Sequence, residues 1–114
     1  MNECLFCRIA GGDIPAETVY ENAQVLAFRD ISPQAKSHVL IIPKQHLEGL
    51  NDLAGAKDDM LADLLRAAHE VAKVLQIDQT GYRLVSNCGK DAKQSVLHLH
   101  FHMLGGEALS ERMV

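Results

Sequence analysis

His98-Leu99-His100-Phe101-His102 alternates an imidazole with a large apolar group at every step. A period of two belongs to a strand with unlike faces, because successive side chains leave a pleated backbone on opposite sides. Val96, Leu97, Met103 and Leu104 continue the packing residues around it. A strand here therefore carries three imidazoles on one surface of a sheet. Imidazole has the unperturbed pKa closest to neutrality, so the row suits proton transfer, nucleophilic attack or metal ligation. Same-face neighbours on a strand lie about 6.6–6.8 Å apart, which separates His98 from His102 by roughly 13 Å. Two neighbours of such a row can share one cation, but all three cannot. At least one imidazole has another task.

The rest of the chain reads as short strands around one helix. Glu17–Tyr20 and Val25–Phe28 are predicted strands joined by the polar turn Glu21-Asn22-Ala23-Gln24. His38–Ile42 is a β-branched strand stopped by Pro43, and Tyr82–Ser86 is another. Cys4–Ala10 gives one or two helical turns ended by Gly11-Gly12. Lys57–Gln76 is the long helix, with Met60, Leu61, Leu64, Leu65, Ala68, Val71, Ala72 and Leu75 inside an arc of about 140° at ~100° per residue. His69 falls outside that arc, on a solvated face. Asp30–Gln34 and Asn87–Gln94 are loops. Connections this short leave no room for repeated βαβ crossovers, so the expected fold is an antiparallel α+β domain of five strands.

Length and charge narrow the function. The 114 residues suffice for one domain, expected over 1–114, and for a single core. A net charge of −4 and only five Phe and Tyr residues, with no Trp, argue against a nucleic-acid partner, which needs a basic patch or a stacking platform. No apolar run approaches the ~20 residues of a membrane span, and no basic-then-apolar signal opens the chain, so the expected location is the cytoplasm.

The histidine segment suits attack on phosphorus or an acyl carbon. A neutral imidazole attacks through one nitrogen while the other donates a hydrogen bond that fixes its tautomer. A flanking imidazolium stabilises phosphoryl charge or protonates a leaving group. Ser95, Asn87, Gly89 and Gln94 offer hydroxyl, amide and backbone donors nearby. No Walker-type phosphate loop occurs. Cys4 and Cys7 are spaced C-x-x-C, which fits a metal half-site, a redox pair or coincidence; no strand–helix unit precedes them as a thioredoxin-like pair requires. Cys88 reads as a small loop residue.

Gln94–Gly106, with its histidine–apolar alternation followed by Leu-Gly-Gly, resembles the signature of the histidine triad (HIT) nucleotide hydrolases and transferases, and the glycines resemble the Hint branch. The resemblance extends to Phe28–Ala35, to His38–Lys44 and to Gly81-Tyr82-Arg83, nearly the whole chain in order. It implies a homodimer with a sheet continuous across two subunits and a cleft for a purine nucleoside monophosphate, AMP or GMP. It places His100 as the nucleophile that forms a nucleotidyl-histidine, and His102 at the phosphate and leaving group. His98 and His38 are supporting histidines, and Ser95, Asn87 and Gln94 are phosphate or leaving-group contacts. Asp30 accepts the ribose hydroxyls, and Leu5, Phe6, Ile9, Phe28, Ile31 and Leu40 form the base pocket.

The activity so implied is cleavage of purine nucleoside phosphoramidates or acyl-adenylates, with no metal needed for the step. The alternatives are a dinucleoside-polyphosphate hydrolase or nucleotidyl transferase of a sister branch, disfavoured by Gly105-Gly106, and a non-catalytic zinc-stabilised nucleotide-binding module. Some bacterial relatives hold a structural zinc on residues matching Cys4, Cys7, His46 and His98, so the resemblance implies a Cys₂His₂ site here. Two departures stand out. Ala92-Lys93 occupies a position where relatives commonly have glycine, and Glu107–Val114 lacks the Trp-Pro-Pro-Gly terminus of eukaryotic Hint proteins, which bears on substrate preference.

Overall fold

The computed structural model describes residues 3–112, so the last two residues of the Glu107–Val114 tail lie outside it. A short helix α1 (Leu5–Ala10) precedes strands β1 (Thr18–Glu21), β2 (Val25–Arg29) and β3 (Ser37–Pro43). A 3₁₀ turn over Leu50–Gly55, unannounced by any apolar period, leads to helix α2 (Asp58–Val74), then β4 (Tyr82–Val85) and β5 (Phe101–Gly105). The strands form one antiparallel sheet in the order β1-β2-β3-β5-β4. This is the expected α+β architecture with one long and one short helix.

The two faces of the sheet are sorted by the alternation of β2 and β3. Val25, Ala27, Val39, Ile41 and Met103 point to α2 and form the larger core with Met60, Leu64, Ala67, Ala68, Val71 and Ala72. Leu26, Phe28, Leu40 and Ile42 point the other way and pack under Phe6 of α1. His38 alternates with Val39 and therefore lies on this second face, and His102 pairs across from Leu40. Fully burying one such aliphatic side chain contributes about 1.5–3 kcal/mol, so both faces are firmly held.

Two local expectations are corrected. Leu65 is exposed at 61 %, whereas Ala67 is buried. At about 100° per residue Leu65 falls just past the edge of the stripe that the sheet covers, and Ala67 just inside its opposite edge. The histidine strand begins at Phe101, not at His98. Residues 98–100 bond outside the ladder: Leu99 N–H donates to Leu47 O at 2.6 Å, and Ser86 Oγ donates to His100 O at 2.8 Å. The alternation survives in the packing, with Leu99 in the core under α2 and His98 and His100 against Phe6; the pairing does not.

Gly105 and Gly106 have separate reasons. A Cβ on Gly105 would sit 2.9 Å from Ile77 Cδ1 and 3.2 Å from Gly81 O, while Gly106 adopts φ +81°. One glycine lets the sheet edge approach the chain after α2, and the other turns the chain away from β5. Among the described residues, no helix is long and apolar enough to cross a membrane.

Candidate active site and metal cluster

Each histidine of the row has a backbone or imidazole partner that fixes its tautomer. His98 Nε2 lies 2.8 Å from Pro43 O, so Nε2–H donates there and Nδ1 keeps its lone pair. His100 Nδ1 lies 2.7 Å from His98 O, so Nδ1–H donates and Nε2 is left as a free lone pair. Gln34 N–H donates to His38 Nδ1 at 3.0 Å, which puts the His38 proton on Nε2. That proton is donated to His102 Nδ1 at 2.9 Å, leaving His102 with its own proton on Nε2. Four imidazoles thus have four defined protons. The partners Pro43 and Gln34 are missed by sequence reasoning, since a backbone carbonyl or N–H can come from any residue type.

Burial is the main influence on three of these rings. It pushes His38 below the ordinary histidine pKa against the pull of Asp30, whose Oδ2 is 3.4 Å from His38 Nε2. It does the same to His102, helped by His100 and His38 and opposed by Asp30. His98 is lowered by burial as well, with the Pro43 hydrogen bond acting in the opposite direction and His46 and His100 adding to the lowering. Uncharged imidazoles, as the tautomers require, are the resting state at neutral pH.

Beside the row lies an apolar cavity of about 330 Å³ lined by Leu5, Phe6, Ile9, Phe28, Ile31 and Leu40 together with Asp30. All six expected base-pocket residues converge there from α1, β2, β3 and the loop after β2. Ile14, Pro15, Ala16, Glu17 and Arg29 complete the wall; nothing in their spacing marks them beforehand, because the first four are brought in by the chain entering β1 and Arg29 by the end of β2. The Phe6 ring stands edge-on to Phe28 at 5.6 Å and to His100 at 5.1 Å, joining the cavity to the histidines.

The polar loop after β4 is arranged differently from a set of free donors. Gln94 Oε1 accepts from Gly89 N–H at 2.9 Å, and its Nε2 donates to the carbonyls of Glu48 and Val96. Its amide braces the loop. Ser95 is exposed and lines a shallow depression with Cys4, His46 and Val96 instead of the apolar cavity. Asn87 is half-buried at the start of the loop. Lys93 adopts φ +62°, the left-handed conformation that glycine takes without cost, at the position singled out in the sequence.

On the other side of the row, His98 Nδ1 faces Cys4 Sγ and Cys7 Sγ, each at 3.4 Å, and His46 Nδ1 at 3.2 Å. Cys7 Sγ and His46 Nδ1 are also 3.2 Å apart, and all four ligand atoms lie within 4.8 Å of one another. Zinc–nitrogen bonds near 2.0–2.1 Å and zinc–sulfur bonds near 2.3 Å give tetrahedral edges of about 3.3 Å between nitrogens and about 3.5 Å between nitrogen and sulfur. The observed edges fit. The lone pair that His98 directs into the cluster, and its Nε2–H held by a carbonyl, are the orientation a ligating histidine needs. Asp30, His38 and His102 also gather three potential ligand atoms, on the catalytic side.

Known proteins resemble this chain along most of its length. A family model for the HIT domain matches residues 11–109. A 13.2 kDa HIT-like protein of Azospirillum brasilense is 45 % identical over 106 residues, covering 92 % of this chain and 87 % of that protein. The purine nucleoside phosphoramidase of Escherichia coli K12 is 39 % identical over 107 residues, covering 94 % and 90 %. The solved structure of a HIT family hydrolase from Clostridium thermocellum superposes with a TM-score of 0.94 at 40 % identity, covering 100 % of this chain and 99 % of that one. Sequence match, fold and the clustering of the alternating histidines agree, and the chain belongs to the HIT domain family.

Proposed function

We propose that this protein is a hydrolase that cleaves the P–N bond of purine nucleoside phosphoramidates, or the equivalent bond of acyl-adenylates, through a nucleotidyl-histidine on His100. The observation that carries this is the His100 Nδ1–H bond to His98 O, which leaves Nε2 unprotonated beside the apolar cavity. The base enters that cavity, and Asp30 at its rim accepts the ribose hydroxyls. An anionic phosphoryl group beside His102 favours its protonated form, reversing the depression that burial imposes in the free site.

His100 Nε2 then attacks the α-phosphorus. As the new N–P bond forms, the substrate P–N bond breaks, and His102 Nε2–H gives the departing nitrogen the proton it needs to leave as a neutral amine. Water next attacks the phosphorus, its proton passes to His102, and the nucleoside monophosphate leaves with His100 restored to a neutral imidazole. Every proton is supplied by the chain's own imidazoles and by water. In the free site His38, set by Gln34 N–H and close to Asp30, holds His102 Nδ1 as an acceptor; protonation of His102 at Nδ1 for the reaction breaks that hydrogen bond. Asn87 and Ser95 serve the phosphate and leaving group as the substrate draws the loop in, with Gln94 bracing that loop.

Cys4, Cys7, His46 and His98 would hold a structural zinc, which ties α1 to the sheet and supplies no chemistry to the step. The assembly is a homodimer, a reading to which the free edge of strand β4 lends support, since an unpaired edge offers backbone groups to a second sheet. The test is turnover of adenosine 5′-phosphoramidate. His100→Ala is expected to reduce it by at least about 10³-fold while AMP still binds, since no other group replaces a covalent nucleophile. The wild type quenched in acid-free denaturant during turnover should carry the nucleotide on residue 100. Turnover surviving in His100→Ala would overturn the assignment.

A further inference from the structure

We propose that α1 couples the Cys4–Cys7–His46–His98 metal site to the nucleotide cavity, so that a bound divalent metal and a bound nucleoside monophosphate each tighten the other. This rests on the nucleotide reading of the cavity above and goes beyond it. The helix has six residues, too few to persist without tertiary support. Its two ends of work are on opposite sides. Cys4, the N-cap residue, and Cys7, one turn on, face His46 and His98. Leu5, Phe6 and Ile9 form one wall of the cavity.

Phe6 is the mechanical link. It lies in sequence between the two cysteines, is 5 % exposed, and stands edge-on to His98 at 6.0 Å as well as to His100 and Phe28. His98 supplies a second link, with its ring in the cluster and its carbonyl accepting from His100 Nδ1–H. A metal on the four ligands fastens α1 to the end of β3 and to the histidine segment. Without one, the wall that the base must pack against rests mainly on the packing of Phe6, Ile9 and Ala10 over Leu26, Phe28, Leu40 and Ile42. A base seated in the cavity presses on the same short helix from the other side. By linkage, whatever factor the metal contributes to nucleotide affinity, the nucleotide returns to metal affinity.

The experiment compares zinc-loaded protein with protein stripped by chelation, using AMP as the ligand in isothermal titration. The stripped form is expected to bind AMP 5- to 150-fold more weakly, the range typical of coupled sites, taken as about that size. In the loaded form, saturating AMP is expected to shift zinc competition against a chromogenic chelator by the same factor. Should stripping unfold the chain by circular dichroism, cobalt(II) exchanged into the folded protein replaces the first arm. AMP must then perturb the cobalt d–d absorption, and Phe6→Leu must reduce that perturbation. Equal AMP affinity in both forms, or a cobalt spectrum indifferent to AMP, would overturn the coupling alone. Loaded protein that binds no AMP would overturn the functional reading and this proposal with it.

Discussion

His102 is set apart from His100 by what each ring nitrogen touches. His100 spends its proton on a carbonyl and offers a lone pair; His102 spends its lone pair on His38 and offers a proton. Two predictions follow at this scale. His102→Ala is expected to slow phosphoramidate cleavage by about 10²–10⁴-fold, the usual worth of a general acid, and to spare a nucleotide whose leaving group departs as a stable anion. Comparing kcat for the two substrate types checks this; equal losses would refute the proton-donor role. At Lys93, the φ of +62° carries a left-handed penalty of about 1–2 kcal/mol, which a glycine avoids at an entropic cost of about 0.5–1 kcal/mol. Lys93→Gly is therefore expected to raise stability by about 0.5–1 kcal/mol in urea titration. The residue roles of the row were legible as a pattern of types. The division of roles came from the family resemblance, and which nitrogen holds each proton was not legible, because carbonyl partners leave no mark on sequence.

The elements show where periodicity suffices. In β2 and β3 the alternation assigned Val25, Ala27, Val39 and Ile41 to one face and Leu26, Phe28, His38, Leu40 and Ile42 to the other, since only two faces exist. Around residues 98–100 the same alternation held while the ladder did not: Leu47 O and Ser86 Oγ took backbone bonds that a neighbouring strand would have made. The end of α2 gives a further test. Gln76 N–H donates to Lys73 O and Ile77 N–H to Ala72 O, both at 3.0 Å, a Schellman closure with Gln76 at φ +59°. Gln76→Gly is expected to stabilise the fold by about 0.5–1 kcal/mol, measured as a raised urea midpoint at constant m-value. In α1, Phe6→Ala should raise KM for the nucleotide more than it lowers kcat, since the ring forms cavity wall and does not touch the reacting bond in the proposed mechanism.

For the whole molecule, burial of His38 and His102 sets a pH dependence of stability. Both pKa values are lowered in the folded chain, so below the ordinary value of about 6.5 the unfolded state binds more protons than the folded one. Stability is then flat above that pH, falls as the pH drops through it, and levels off below the folded values. Urea midpoints from pH 8 to pH 5 should show this fall, and His38→Gln should lessen it; a midpoint rising toward acid would contradict the sign. The assembly is open to a direct check as well. Light scattering after gel filtration should give twice the chain mass.

The sequence by itself determined the α+β class, the two-faced strands, the six apolar residues of the cavity and the four residues of the Cys₂His₂ cluster. The class and the two faces follow from residue type and from periods of two and 3.6, which are local properties of the chain, whereas the cavity and cluster residues were named through the resemblance to the HIT family. Only the tertiary structure decided which nitrogen of each histidine holds the proton, that Gln94 braces a loop, and that Ser95 faces away from the cavity. It also decided that one short helix serves the cluster and the cavity together. Those outcomes depend on partners distant in sequence, above all on backbone groups that every residue carries alike.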